Sequence, residues 1–202
     1  MKKTIYKTLL LCLSVIALIG CDLDLQKDYD YEASVEDPHI NMIAWEYFQA
    51  HPDKFSELTT AIEHAGLKDY YTQTDNTYTY LALDNTAMQS YRDNVFPGIA
   101  SITDWDKETV KNMLLYHIVD GEYSSYGQLQ VEAMFVLTLL PGEKGLMTMS
   151  VWKNPWQAAV GKILVNETGS NGKSPQRNAK TSNILPTNGV IHIFEKYCYY
   201  QK

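Results

Sequence analysis

The chain has 202 residues, a formal net charge of -7 and an apolar content of 45%. That length suits one domain with extensions, the apolar content is that of an ordinary globular core, and the acidic balance argues against a nucleic-acid partner, which calls for a basic stripe. Fifteen tyrosines and four tryptophans supply large rings that fill a core or make a sticky surface.

The first segment reads as an export signal. Lys2 and Lys3 form a basic start, Leu9 to Ile19 is apolar apart from Ser14, and Leu18-Ile19-Gly20-Cys21 ends the run. This pattern predicts a secretory signal over residues 1–20; the run is shorter than the roughly 20 apolar residues that span a bilayer. Its last four residues resemble the lipobox of bacterial lipoproteins. The resemblance implies that Cys21 carries lipid, becomes the first residue of the mature chain and ties it to a membrane, since several acyl chains anchor stably where one does not. Of three cysteines, Cys12 then leaves with the signal and Cys21 is acylated, so Cys198 has no partner for an intramolecular disulfide.

Asp22, Asp24, Asp28, Asp30, Glu32, Glu36 and Asp37 face only Lys27, which predicts a flexible acidic tether over residues 21–37. Asp22 after the cysteine resembles an inner-membrane retention signal of one bacterial group. The patch around Gln26-Lys27-Asp28 resembles an outer-face export signal of another. The run of several acids favours an outer-membrane location facing outward.

Residues 38–200 are expected to form the domain. Pro38 is predicted to open a helix with Ile40, Ile43, Ala44, Tyr47 and Phe48 on one face, closed before Pro52. A second helix carries Phe55, Leu58, Ile62 and Ala65 and stops at Gly66. Thr77 to Leu83 reads as a strand, and Asp84 as the N-cap of a short helix through Ala87 and Met88. A third helix spans about Asp106 to Tyr116, with Val110, Met113, Leu114 and His117 inward, before a turn at Asp120-Gly121. Phe135 to Leu140, Leu146 to Trp152, Lys162 to Asn166 and Val190 to Tyr197 read as strands, punctuated by Pro141-Gly142, Asn154-Pro155 and Gly169 to Pro175. Helices in the first half and strands in the second make the fold class α+β.

Three segments identify a family resemblance. Tyr80-Leu81-Ala82-Leu83-Asp84-Asn85-Thr86-Ala87-Met88 resembles the first signature of the fasciclin domain. Leu114 to Tyr123, containing Tyr116-His117, resembles its central segment. Ser182-Asn183-Ile184 with Pro186-Thr187-Asn188-Gly189-Val190-Ile191-His192-Ile193-Phe194-Glu195 resembles its closing signature. The resemblance implies a helical first half packed on a compact mixed β-sheet or wedge, with Val190–Phe194 beside the strand around Leu81. It makes Asp84, Asn85, Tyr116, His117, Asn188, Gly189 and His192 the structural motif, with Asn188-Gly189 as a turn whose residues tolerate positive φ. The family's Phe-Ala-Pro is here Leu81-Ala82-Leu83, its closing phenylalanine is Met88, and its aspartate-isoleucine pair is Asn183-Ile184. The acidic version of that pair is tied to integrin binding in some animal members, and that activity is not carried over.

His117 and His192 sit beside large apolar residues, where a histidine is more often a satisfied core residue than a ligand or catalyst. Enzyme motifs are missing: no Gly-x-Ser-x-Gly elbow and no His-Glu-x-x-His. Gly172-Lys173-Ser174 lacks the upstream glycine of a phosphate loop, and Pro175 blocks the helix that should follow. Cys198 reads as a buried or inert thiol. Asn166-Glu167-Thr168 fits the glycosylation triplet by coincidence. No cofactor, metal or catalytic set is expected. Trp152 and Trp156 bracket a loop, and Tyr123 and Tyr126 follow the central motif. Rings so placed can stack on a sugar or anchor a protein, or pack beneath their loops as local core. Ser170 to Lys180 reads as a mobile polar loop and the one cationic patch, which could dock an acidic polymer or simply be solvated.

These features lead to a cell-surface lipoprotein whose domain is a non-catalytic adhesion or binding module for a protein or glycan. The alternatives are an accessory structural subunit of an outer-membrane, glycan-uptake complex and, least favoured, an envelope hydrolase.

Overall fold

The computed structural model describes residues 37–153, 161–167 and 174–199. Internal packing divides the chain at Asp37–Pro38, and the elements below follow that division.

Helix α1 is Ala44–Ala50. The glutamate of its first turn accepts the Ile43 backbone N–H at 3.1 Å and so occupies one unpaired donor of the helix start. The expected start at Pro38 is six residues too early. Pro38 O accepts from Leu185 N and Ile40 N donates to Leu185 O, both at 2.9 Å, so this stretch is extended backbone against the segment at Leu185. Helix α2, Pro52–Ala65, has proline in its first turn, where the missing N–H costs nothing, and ends on Gly66 at φ 70°. Its buried face is Phe55, Leu58, Ala61, Ile62 and Ala65, the spacing of a helix with one apolar side. Helix α3, Lys68–Thr72, follows directly and was not apparent from the pattern.

Strand β1, Tyr78–Leu83, is buried along its whole length. Asp84 caps helix α4, Asn85–Val95, by accepting the Ala87 N–H at 2.9 Å. This helix is longer than expected and buries Ala87, Met88 and Tyr91. A 3₁₀ turn at Ile102–Asp104 leads to α5, Lys107–Tyr116, capped by Asp106. Beyond it, Ile118–Asp120 forms strand β2, where a turn alone was expected; the turn falls on Gly121 at φ 105°.

The remaining strands are β3 (Met134–Leu137), β4 (Leu146–Trp152), β5 (Lys162–Val165), β6 (Arg177–Asn178), β7 (Thr181–Ile184) and β8 (Gly189–Phe194). With β1 and β2 they form two four-stranded sheets among the described residues, ordered β2-β1-β8-β7 and β3-β4-β5-β6. The second is antiparallel throughout. In the first, β8 lies parallel to β1, with Leu81 opposite His192, as the closing segment predicts. The domain is therefore α+β, with one mixed and one antiparallel sheet. The sheets meet where Val119 bridges Thr138 and where Ala179 N and Lys180 N donate to Ile163 O and Ile193 O. Strand β6 and the Lys180 bond place part of Ser170–Lys180 in ordered pairing, correcting the expectation of a mobile loop there.

One apolar core joins the helices to both sheets, including Phe48, Phe55, Tyr80, Tyr91, Met113, Tyr116 and Phe194. Burial at roughly 25 cal/mol per Å² of apolar surface makes this core the main stabilising contribution, as it must be where no disulfide joins the described residues.

Candidate functional site

The motif residues lie inside the domain, each tying together segments distant in sequence. Asn188 is buried. Its side-chain oxygen accepts from Ala44 N at 2.8 Å, and its amide donates to Tyr71 O at 3.0 Å and Gln73 O at 3.1 Å. It thus joins the start of α1 and the end of α3 to the turn before β8, with Tyr80 Oη 3.3 Å away. Tyr80 in turn donates to Tyr70 O at 2.9 Å. Asn188 is not among the positive-φ residues, which corrects the conformational role expected of it; Gly189, at φ 149°, alone carries that requirement in the turn.

Asn85 makes the matching link between α4 and α2. It accepts from Glu57 N at 3.0 Å and donates to Asp53 O at 3.0 Å and Ser56 Oγ at 3.1 Å. Asp53 O and Glu57 N are one helical turn apart near the start of α2, so the Asn85 amide bridges an acceptor and a donor of that helix backbone. Asp84, besides its cap, donates its N–H to Phe194 O and locks the end of β1 to β8.

The two histidines are fixed in defined tautomers by their neighbours. His192 Nε2 donates to Tyr123 O at 2.8 Å, and its Nδ1 accepts from Asn183 N at 3.1 Å. His117 Nδ1 donates to Met113 O at 2.8 Å, which leaves Nε2 as the acceptor facing Cys198 Sγ at 3.1 Å and Cys198 N at 3.4 Å. A carbonyl demands a donor and a backbone N–H demands an acceptor, so each ring has one protonated nitrogen. Burial lowers both histidines from 6.5 to about 4.

His117 and Cys198 have the composition of a thiol–imidazole dyad, but not its electrostatics. Burial pushes the Cys198 thiol up to about 12 while His117 is held neutral. A nucleophilic pair needs the opposite shifts, a thiolate stabilised by a charged imidazole at an accessible site. Tyr116 is buried, its pKa raised by burial, and its hydroxyl donates to Asn166 Oδ1 at 3.1 Å. Asn166 is itself buried at φ 56°, so its side chain is turned inward and not presented to solvent.

Two further polar links have no signal in the residue pattern. Asn183, at φ 62°, accepts from Ser125 N at 3.0 Å and donates to Ser125 Oγ at 2.6 Å. Short-chain amides tolerate this left-handed conformation better than most side chains, and the pairing reaches across 58 residues. The position that matches the family's aspartate is thus buried here. Thr79 Oγ1 accepts from Tyr123 N and donates to Gly121 O, both at 2.8 Å, pinning the loop after β2.

The aromatic candidates separate. Trp152, at the end of β4, is 51% exposed, and Tyr126 is 57% exposed, so neither is local core. Tyr123 is half-buried and packs against the core. Trp156 lies outside the described residues. Among the described residues no group of three or more His, Cys, Asp or Glu could hold a metal ion, and no helix is long and apolar enough to cross a membrane.

A mixed sheet closed by a C-terminal strand, with its signature amides and histidines turned inward, defines the class of α+β scaffold domains built on fasciclin-type segments. Residues 53–198 match the Fasciclin domain family, and the chain belongs to it. Human periostin is 28% identical over 151 residues, covering 72% of this chain and 15% of periostin, so the chain spans a small part of that relative. A FAS1 domain pair from the insect cell adhesion molecule Fasciclin I matches at a TM-score of 0.46 and 16% identity, over 76% of this chain and 44% of that one.

Proposed function

We propose that the chain is a cell-envelope lipoprotein, held by lipid on Cys21 and spaced from the membrane by residues 21–37, whose fasciclin domain is a non-catalytic adhesion module for a protein or glycan partner. The observation that carries this reading is the direction of the motif side chains. The amides and histidines that a catalytic site would expose are buried and hydrogen-bonded within the fold, while large rings stand outside at Trp152 and Tyr126. A scaffold whose motif side chains are engaged within the fold acts through its surface, where exposed aromatics are frequent anchors.

Metabolic labelling with a radioactive fatty acid, protease shaving of intact cells and capture from envelope extract test the proposal together. The expected result is label that disappears in Cys21→Ser, loss of the domain on shaving, and a partner retained by the wild-type domain. Label on the Cys21→Ser chain, or a domain protected in intact cells, contradicts the lipid-anchored, outward-facing placement.

A second reading, an accessory subunit of an outer-membrane complex, draws on a different surface. Edge strand β3 exposes Phe135 and Leu137 at 61% and 62%, with Val131 exposed nearby. An edge strand with adjacent apolar side chains is a docking site for another polypeptide. Copurification with a β-barrel, lost on Phe135→Ser with Leu137→Ser, would favour this reading.

A further inference from the structure

The cations of this acidic protein are unevenly placed. Where β6 and the end of β8 diverge, Lys162, Arg177, Lys180 and Lys196 line a depression of about 420 Å³ with the neutral amides of Gln176 and Asn178. The single acid in that lining is Glu195, which is paired with Lys180. Four cations against one acid leave a local charge of +3 in a chain of net charge -7.

The arrangement is partly built. Arg177 Nε donates to Tyr197 O at 2.8 Å and Nη1 to Gln176 O at 2.9 Å, and the guanidinium lies 6.0 Å from the Tyr197 ring centroid. Carbonyls and a ring face orient the cation without neutralising it. Lys162 and Lys196 have no acidic partner among the described residues.

A second depression of about 270 Å³ adjoins the first and shares Lys162, Ala179 and Lys180 with it; Tyr126 and Ser182 stand on its wall. Lys162 is the cross-strand partner of Trp152, and opposed residues on neighbouring strands share a face. Two exposed rings therefore stand beside Lys162, one of the two lysines common to both depressions: Tyr126 on the shared wall and Trp152 across the strand pair.

We infer that this double groove binds an anionic polysaccharide, of the type bearing a carboxylate on each or every second sugar. This deepens the adhesion reading above and rests on it. The cations meet the carboxylates, the amides of Gln176 and Asn178 and the Ser182 hydroxyl meet ring hydroxyls, and the aromatic rings cover the apolar faces of the sugars. The volume lies in the range of ligand clefts, roughly 300–1,000 Å³, but the charged and amide lining does not suit an apolar ligand. An acidic peptide would use the lysines and not need both rings. A nucleic acid would call for a longer basic stripe than one groove supplies.

The test is isothermal titration of the full-length protein at low salt with polygalacturonate, neutral dextran, poly-L-glutamate, oligo-deoxythymidine and vesicles containing anionic lipid. Polygalacturonate is expected to bind and to weaken at least tenfold between 50 and 200 mM salt, in line with release of several counterions, with the other four at least tenfold weaker. Lys162→Glu with Lys196→Glu should reduce polygalacturonate binding at least tenfold at an unchanged melting temperature, since both side chains are exposed. Tyr126→Ala should reduce it severalfold while leaving its salt dependence in place. Absence of polygalacturonate binding, equal binding of poly-L-glutamate, oligo-deoxythymidine or vesicles, or binding indifferent to the double reversal overturns the inference. If the double-reversal protein still captures its envelope partner, the groove assignment fails and the adhesion reading stands; if the wild type captures none, the adhesion reading fails as well.

Discussion

Gly189 approaches Tyr78 so closely that a Cβ at that position would stand 2.0 Å from the Tyr78 carbonyl oxygen. The contact lies at the first rung of the parallel β1–β8 pairing. The neighbouring atom is backbone in a central strand and cannot give way. Gly189→Ala should therefore separate the two strands at their start and destabilise the domain by about 3 kcal/mol or more, combining overpacking with an unfavourable backbone conformation. Chemical denaturation would measure it. A loss under about 1 kcal/mol, the ordinary size for a tolerated substitution, would mean that the strands are not so tightly apposed.

Asn188 closes the domain from the adjacent position, through its side chain. Asn188→Ala would leave Ala44 N, Tyr71 O and Gln73 O without the partners they have now. Orphaned buried groups cost about 1–3 kcal/mol each before any water enters, so a loss of about 3 kcal/mol is expected. Asn188→Asp should be at least as damaging at pH 8, since a carboxylate accepts from Ala44 N but repels two carbonyl oxygens. Its defect should shrink at pH 5 as the carboxyl protonates and regains a donor. A pH-independent defect in Asn188→Asp would argue against this arrangement.

The two buried histidines make stability depend on pH with a definite sign. Both are lowered from 6.5 to about 4, so between those values the unfolded chain binds more protons than the folded one. Stability is then fully present above about pH 6.5 and falls as the pH drops toward 4. The loss amounts to at most about 3 kcal/mol per ring by linkage. His192→Gln retains a side-chain donor and acceptor but no titration. The denaturation midpoint of that variant should fall less steeply between pH 7 and 4.5 than the wild type's. Identical slopes would contradict the assignment.

Cys198 should behave as a core atom. With Cys12 and Cys21 replaced by serine, a disulfide-exchange reagent at pH 8 should leave the native protein unmodified for hours and react within minutes once denaturant is added, because the thiol is buried and its pKa is pushed up to about 12. Rapid modification of the native protein would reveal an accessible thiolate beside His117.

The legible part of the fold was the part governed by local rules. Apolar spacing located α2 and α5, Asp84 announced its cap, and the closing segment placed β8 beside Leu81. What escaped was set by distant partners. Pro38 looked like a helix opener because proline suits a first turn, yet its carbonyl pairs with Leu185, 147 positions away by residue number. Asn188 looked like a turn residue because asparagine precedes glycine, yet its role is a side-chain reach to Ala44 across 144 residues. Asn183 stands where some family members carry an aspartate, and its role here, a lock on Ser125, is set by a loop 58 residues away. The groove was partly visible as a cationic stretch near Lys180, but Lys162 and Lys196 join it only through the pairing of β5 with β6 and the path of the chain after β8.

His117 and His192 are expected to hold the domain closed as neutral, hydrogen-bonded rings that take no part in chemistry or ligation. Titration of their ring nitrogens by ¹⁵N nuclear magnetic resonance tests this directly. His117 protonated on Nδ1 and His192 protonated on Nε2 should persist unchanged from pH 8 down to about 5, with no response to added zinc. A midpoint near 6.5 for either ring, or a shift on adding zinc, would contradict the claim.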